Sequence, residues 1–575
     1  MPARNAEVAT VLGEIADLLE VEGDNPYRVR AYRNAARSVA VFGSSIHGLV
    51  AEGAALNELP DIGPELAMRI AEIVRTGSCP LLERLHRELP EAIAELLKVP
   101  GIGPKRVHQL YTRLGIRSLE DLHRAAEQGR VRSVPGFGAL IERRVLEATA
   151  AHRVRSRRWR RPEVLPIAES LTAYLSAMPE VEHALVAGSL RRGRDTVGDL
   201  DLVVSTFAAS EVVERLRDHE EVQEVLSSGP ARASVLLHSG LQVDLRAADP
   251  SCLGAAWLYL TGSKAHNVAL RRHATAIGLK LDERGLHRGR RRIAGDTELS
   301  IYEALGLPLL PPELREDRGE LEAARLNRLP HLVEREHLRG DLHIRSAALR
   351  APGSLPSLIA TARALGLDYL AIADAASAPD ELPRMDAEAL ARQADEIDRI
   401  NASLQGFRLL KGVEVDILED GRLALPDRLL ARLDLVIGSV RTHLGLSRDQ
   451  QTERLRRAMD NRHFTVLAHP TGRLLGERPG CDLDLQAVVR HAKARGCHLE
   501  LNAQPARLDL DDVGCQLARD AGVLVSISSA AADAAGLVDL DAGVLQARRG
   551  WLEPADVLNA RPLEALAPLL RRTMV

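Results

Sequence analysis

The sequence predicts a multidomain protein, with an α-helical N-terminal region, an α+β middle and a C-terminal α/β barrel-like domain. Three observations carry that prediction. Residues 1–150 hold three short glycine-centred hairpins, each leading into a new helical pattern. The middle contains two strand-like runs that place carboxylates at alternating positions. Beyond residue 336, apolar runs alternate with helical stretches, the pattern of parallel strands joined by crossover helices. At 575 residues the chain is too long for one core, and its 45% hydrophobic residues suffice for several. No apolar run approaches the ~20 residues of a membrane span, and "MPARNAEVATVLGEIADLL" opens into an amphipathic helix instead of a signal peptide. Cys79, Cys252, Cys481, Cys497 and Cys515 form no CxxC pair, so reduced thiols and a cytoplasmic, membrane-free location are expected. A net charge of -4 gives no global attraction to nucleic acid. DNA affinity must then come from local basic patches such as "HRVRSRRWRR", His152–Arg161, which reads otherwise as a solvated basic linker.

The N-terminal hairpins are "LPDIGPELAMRI" (Leu59–Ile70), "VPGIGPKRVHQLYTRLGI" (Val99–Ile116) and "VPGFGALIERRV" (Val134–Val145). They resemble the helix-hairpin-helix motif, in which glycine allows close approach and the following helix start grips a phosphate without reading the base. One such hairpin is a common helix boundary, whereas three in series favour DNA binding. The expected contacts are Gly63, Gly101, Gly103, Lys105, Gly136 and Gly138; position 61, an aspartate, is given no role.

In "VAGSLRRGRDTVGDLDLVVS" (Val186–Ser205), a Gly-Ser turn and two arginines precede Asp199 and Asp201. Strand residues two apart point to one face, so the two carboxylates project together. Such a pair is costly unless a cation neutralises it, and hard divalent ions take oxygen ligands of this kind. The alternative is a solvated strand edge paired with the arginines. A third carboxylate, Asp244 in "LQVDLRAAD", shifts the balance toward a metal-triphosphate site. Three carboxylates from two neighbouring strands can hold two Mg2+ ions for nucleotidyl transfer.

These motifs, followed by "YLTGSKAHNVALRRHATAIGLKLDERGL", resemble in order the palm and thumb of family X DNA polymerases. The bacterial type carries a C-terminal PHP (polymerase and histidinol phosphatase) domain, and the resemblance spans nearly the whole chain. It implies an α+β nucleotidyltransferase palm with a thumb, and Asp199, Asp201 and Asp244 as catalytic ligands of two Mg2+ or Mn2+ ions. Gly188, Ser189, Arg192 and Gly198 would contact the triphosphate. Tyr259 and Leu260 would lie against the sugar, with the Tyr259 backbone as a ribose gate, and Gly262 would also bind the nucleotide. Asn267 would face the base and Arg271 the template. Leu260 stands where the family usually has an aromatic residue. The implied boundaries are 1–90 for a lyase-like helical domain, 91–150 for helix-hairpin-helix fingers, 151–250 for the palm, 251–318 for the thumb, 319–335 for a polar linker and 336–575 for the PHP domain. The family's N-terminal lyase uses a lysine amine, but Arg69 occupies the matching position and no lysine precedes Lys98; an always-protonated guanidinium cannot be the nucleophile.

The PHP domain normally holds a three-metal cluster, and this sequence departs from its ligand pattern. The opening His-x-His survives only as His343, with Arg345 in second place, and the next acidic position is Arg350. Ala375 replaces the histidine of "TDHS", Arg441 that of "SVH", and Ala530–Ala532 stand for "DAH". With only His343, Glu414 and His469 remaining, the cluster is expected to be absent and the 3′-5′ exonuclease lost. The expected function is gap-filling, template-directed DNA synthesis in base excision repair. Its partners are gapped or primer-template DNA and dNTPs, and it associates with the nucleoid through DNA. A non-catalytic DNA-binding scaffold and a template-independent nucleotidyltransferase are the alternatives.

Overall fold

The computed structural model describes residues 5–42, 46–51, 56–58, 62–76, 79–89, 93, 96–97, 99, 102–345, 354–376 and 387–571. The chain divides into two compact units, Met1–Arg157 and Arg158–Val575.

The first unit is helical. Leu12, Ile15 and Leu19 of the first helix, Asn5–Glu22, point into its core, the spacing of one apolar helix face. Ile62, Ile102 and Phe137, each just before a hairpin glycine, are buried in the same core and anchor the three hairpins. Gly63 directly precedes the helix Pro64–Thr76. Gly103 and Gly138 are the N-caps of the helices Pro104–Leu114 and Ala139–Ser156, and neither supplies a side-chain cap to the first turn that follows it. Arg106 lies over the Phe137 ring, 5.6 Å from its centroid, and donates to the Gly136 carbonyl at 3.4 Å, which ties the second hairpin to the third. Gly101, Asp61 and Lys98 lie outside the described residues.

The second unit opens with β1 (Trp159–Arg160), antiparallel to β3 (Thr196–Val197). The basic run His152–Arg161 is therefore not a free linker: it continues the helix Ala139–Ser156, then buries Trp159, while Arg158 donates to Thr196 and Arg160 to Glu163. A five-stranded sheet follows, in the order β2 (Val181–Val186), β4 (Asp199–Thr206), β7 (Gln242–Ala248), β6 (Arg232–Leu237), β5 (Val222–Gly229). Strands β4 and β7 run parallel, with Asp199 opposite Gln242 and Asp201 opposite Asp244. On β7, Val243, Leu245 and Ala247 are buried while Asp244 and Arg246 occupy the other face, the alternation expected of a half-buried strand. Helices Leu253–Thr261 and Lys264–Ala276 lead to a small antiparallel sheet of β8 (Lys280–Asp282), β9 (Gly285–Arg288) and β10 (Arg291–Ala294).

The stretch read as a polar linker is partly packed. Glu320, Ala324 and Val333 are buried in it, next to the buried Arg315 that precedes it, and Glu320 accepts from His266 at 2.6 Å. Polar composition misleads here because the charges are paired inside.

The C-terminal sheet runs β11 (Gly340–Ile344), β12 (Tyr369–Ile372), β14 (Arg408–Asp416), β15 (Leu435–Ser439), β16 (Val466–Leu467), β17 (His498–Asn502), β18 (Val525–Ser528), with β13 (Ala375–Ala376) also on β14. All of these pairings are parallel. Every residue of β11, β15, β17 and β18 is buried, as in a sheet covered on both faces. Just beyond β18, the Ser529 N–H donates to Asp341 at 3.0 Å and Arg345 N–H to the Ala531 carbonyl at 2.8 Å, so the two edges meet and the barrel is nearly closed.

Within the thumb, the helix Leu253–Thr261 packs tightly at Gly254, where a Cβ would sit 2.1 Å from the Thr297 carbonyl carbon and 2.6 Å from the Glu298 nitrogen. Both neighbours are backbone, so Gly254→Ala is expected to cost about 1–3 kcal/mol by overpacking. Thermal denaturation measures it, and an unchanged melting temperature would show that this contact is not close in solution.

Candidate active site

The carboxylates occupy one face of β4 and β7. Burial, reinforced by Asp199 and Asp244, pushes the Asp201 carboxyl up to about 7, and burial with Asp244 also raises Asp199. Gln242 donates to Asp244 at 3.0 Å. A Cβ at Gly188 would lie 1.8 Å from Asp201 Oδ2, so at φ +61° only glycine fits beside this carboxylate. Among the described residues no three His, Cys, Asp or Glu side chains converge as a ready metal group. Asp199 and Asp201, whose ionisation is opposed by burial and by neighbouring carboxylates, nonetheless fit divalent cations together with Asp244, because the ions supply the missing countercharge.

The turn after β2 forms a short helix, Gly188–Arg191. Ser189 Oγ is buried with no hydrogen-bond partner. Gly198 directly precedes β4. Arg192 is already engaged: Nη1 donates to the Thr261 carbonyl, and Nε pairs with Glu316 at 3.1 Å. Its neighbour Arg191 carries a larger network. Arg191 and Arg315 both pair with Glu298 at 2.7 Å, and the Arg191 guanidinium lies 3.3 Å from the centroid of the Trp257 ring. Burial alone would raise the Glu298 carboxyl, but Arg191 and Arg315 hold it down to about 2. This strut escapes a sequence reading because its partners lie more than a hundred residues apart.

On the thumb, Gly262 ends the helix Leu253–Thr261. Asn267 Nδ2 donates to the Tyr259 carbonyl at 2.7 Å, and Arg271 Nε to the Asn267 carbonyl at 3.1 Å. Tyr259, Leu260, Asp244 and Arg246 line one cleft together with Glu283, which pairs with Arg246 and had no signal in the sequence. In the first unit, Arg69 pairs with Glu72 at 3.5 Å.

In the barrel, His343, Glu414 and His469 meet. Glu414 lies 3.3 Å from His343 Nε2 and 3.3 Å from His469 Nε2, and Arg441 contacts the same carboxylate. Arg345 approaches it at 3.9 Å, and Ala375 is its register partner on β13. Glu500, missed in the sequence because it sits inside an apolar strand, accepts from His343 Nδ1 at 2.7 Å and from the His469 N–H at 3.0 Å. Burial would lower the His343 pKa, but Glu500 and Glu414 hold it up to about 10. Burial would raise Glu414, but His343, His469 and Arg441 hold it well below its usual range. The charged pair therefore persists across neutral pH. The His343 contribution to stability is lost as pH rises through about 10, and that of Glu414 as pH falls below the ordinary carboxylate range. Ala530 and Ala531 are buried and Ala532 is exposed; Arg350 lies outside the described residues. These residues do not fit a polynuclear metal cluster. Each fixed guanidinium charge would oppose a cation at ~4 Å by roughly 4 kcal/mol at an effective dielectric near 20.

Comparison with known proteins agrees with this architecture. The DNA polymerase beta thumb profile matches residues 256–316, a helix-hairpin-helix domain residues 3–79, and a SAM-like helix-hairpin-helix tandem residues 93–150. "DNA polymerase/3′-5′ exonuclease PolX" of Bacillus subtilis is 35% identical over 573 residues, 98% of this chain and 99% of that protein. "DNA polymerase lambda" of Arabidopsis thaliana is 25% identical over 351 residues, 55% of this chain and 62% of its own. A "probable phosphatase" of Syntrophotalea carbinolica is 31% identical over 166 residues, 28% of this chain and 64% of its own. With a whole-length relative at that identity, and with the hairpins, palm, thumb and barrel in the matching order, the chain belongs to the family X DNA polymerases of the bacterial PolX type and is a DNA polymerase.

Proposed function

We propose that this polymerase is template-directed, fills short gaps during DNA repair in the cytoplasm by two-metal nucleotidyl transfer, and has lost the phosphoesterase chemistry of its barrel. The observation that carries the reading is the carboxylate trio on paired strands. Asp199, Asp201 and Asp244 would hold two divalent ions, Mg2+ or Mn2+, which when bound lower the pKa of an attacking hydroxyl and neutralise a triphosphate. Asp244 helps take up the proton of the primer hydroxyl. The Gly188–Ser189 backbone and the spare Ser189 hydroxyl meet the triphosphate of the incoming dNTP, with Arg192 and Gly198 beside them. The Asn267 side chain fixes the Tyr259 carbonyl, which holds that backbone as the sugar wall, and Arg271 faces the template. The uncapped helix starts after Gly103 and Gly138, with Gly63, Gly136 and Lys105, grip DNA phosphates.

A raised carboxyl contributes stability that is fully present below its ordinary pKa and lost as pH rises through its folded value, here about 7. Asp201→Asn is therefore expected to raise the melting temperature of the metal-free protein at pH 8 and to leave it nearly unchanged at pH 4. The same change should lower primer extension across a gap by about two orders of magnitude or more. Near wild-type extension by Asp201→Asn would sink the metal assignment, and extension that ignores the template would favour the template-independent alternative.

In an Asp201→Asn background, single-stranded DNA incubated with Mn2+ is expected to stay intact. Stepwise shortening that disappears on a further His469→Ala change would mean that the barrel still works as an exonuclease. Borohydride reduction with an abasic substrate should leave no side-chain adduct on residues 1–97, which contain no lysine. A mapped side-chain adduct there would restore the lyase.

A further inference from the structure

The loop Gly188–Gly198 has two sides. One faces the aspartates, where Gly188 touches Asp201. The other is covered by the C-terminal barrel at three consecutive points. Arg549 Nη1 donates to the Arg192 carbonyl at 2.8 Å. A Cβ at Gly193, φ +68°, would lie 2.7 Å from the Leu545 side chain, so barrel and loop backbone are in direct contact. Arg473 Nη1 pairs with Asp195 at 3.1 Å, with both side chains largely buried. Leu545 and Arg549 stand four apart on the helix Leu540–Arg549 and so share one face.

The contacts extend to the side chain of Arg192. A single oxygen, Glu316 Oε1, lies 3.1 Å from Arg192 Nε and 3.1 Å from Arg549 Nη1. Arg549 is 1% exposed, and its other arm pairs with Asp512 at 2.5 Å. Asp512 also takes Arg318 at 3.1 Å, so the barrel end of this chain of charges is itself anchored. A buried guanidinium shared between two carboxylates and a carbonyl has little freedom, because any displacement leaves a desolvated charge unpaired. Arg549 thus fixes Glu316, and Glu316 fixes the direction in which the Arg192 guanidinium leaves the loop.

We propose that the barrel, having lost its cluster, serves the polymerase site as the brace of the triphosphate loop, with Arg549 and Arg473 as positioning residues for dNTP binding. The proposal rests on the reading of Gly188–Gly198 as that loop. The barrel also meets the segment that follows the thumb, through Glu313, Glu316 and Arg318, but within the palm Arg192, Gly193 and Asp195 take their contacts inside four residues of one loop.

The test is steady-state gap filling by the full chain with dNTP and DNA varied separately. Arg473→Gln and Asp195→Asn remove one ion pair from its two ends. Each is expected to raise KM for dNTP about fivefold, the equivalent of roughly 1 kcal/mol, with kcat and KM for DNA within about twofold. The double variant should be no worse than Arg473→Gln alone, because both changes remove the same ion pair and only Arg473→Gln also loses the bonds from Arg473 to the Arg507 and Leu508 carbonyls, and Arg473→Lys should restore most of the affinity. Arg549→Lys, which keeps the charge but loses the fork, should raise KM for dNTP in the fraction that folds. An unchanged dNTP KM in folded Arg473→Gln and Asp195→Asn, or effects that add in the double variant, would overturn the brace. A wild-type chain that cannot extend a primer at all would instead overturn the reading on which it rests.

Discussion

Like charge held on one sheet face is the constraint on which the middle of this molecule depends. Strand alternation puts Asp199 beside Asp201, and the parallel register of β4 and β7 brings Asp244 alongside. Neither strand can slip to relieve the repulsion, because a shift of one residue would turn the buried partners Leu200, Leu202, Val243 and Leu245 outward. The protein therefore carries an electrostatic penalty in its sheet, visible as the raised Asp201 carboxyl. Arg192 offsets it in part, protons or added cations relieve it further, and the same arrangement that weakens the empty fold makes it receptive to divalent ions.

The barrel met a comparable problem differently. Glu414 is fully buried and anionic, and without ions it needs another countercharge. His343, His469 and Arg441 supply it from neighbouring strand ends. Glu500 holds His343 from behind, so the cluster of opposite charges is internal and closed. Side chains alone thus balance the buried carboxylate, and they hold positive charge fixed beside it.

What the sequence revealed and what it hid follow the range of the interactions. The aspartates were legible because alternation within one strand decides their direction, and the hairpins because an apolar anchor followed by glycine recurs locally. The barrel strands were legible as apolar runs. Arg315, Glu320 and Arg549 were not: each reads as a surface charge, and its burial depends on a partner elsewhere in the chain. Arg192 illustrates the limit most sharply. Its motif points to a phosphate ligand, yet its Nε and Nη1 are spent on Glu316 and on Thr261, contacts that the motif cannot announce.

Those long-range charges also bear on what holds the barrel in place. In its inner pocket His343, His469 and Arg441 balance Glu414 among themselves. Its outer face is tied to the rest of the second unit. Arg473, Leu545 and Arg549 each meet the palm loop, and Arg548 pairs with Glu313 at 2.8 Å in the stretch that joins the thumb to the barrel. Removing the barrel would take Arg549 from Glu316, Arg473 from Asp195 and the donor from the Arg192 carbonyl, and a largely buried charge that loses its counter-ion is costly. These contacts lie on the face the barrel turns to the palm, so the barrel and the loop it covers hold each other in place whatever the inner pocket does.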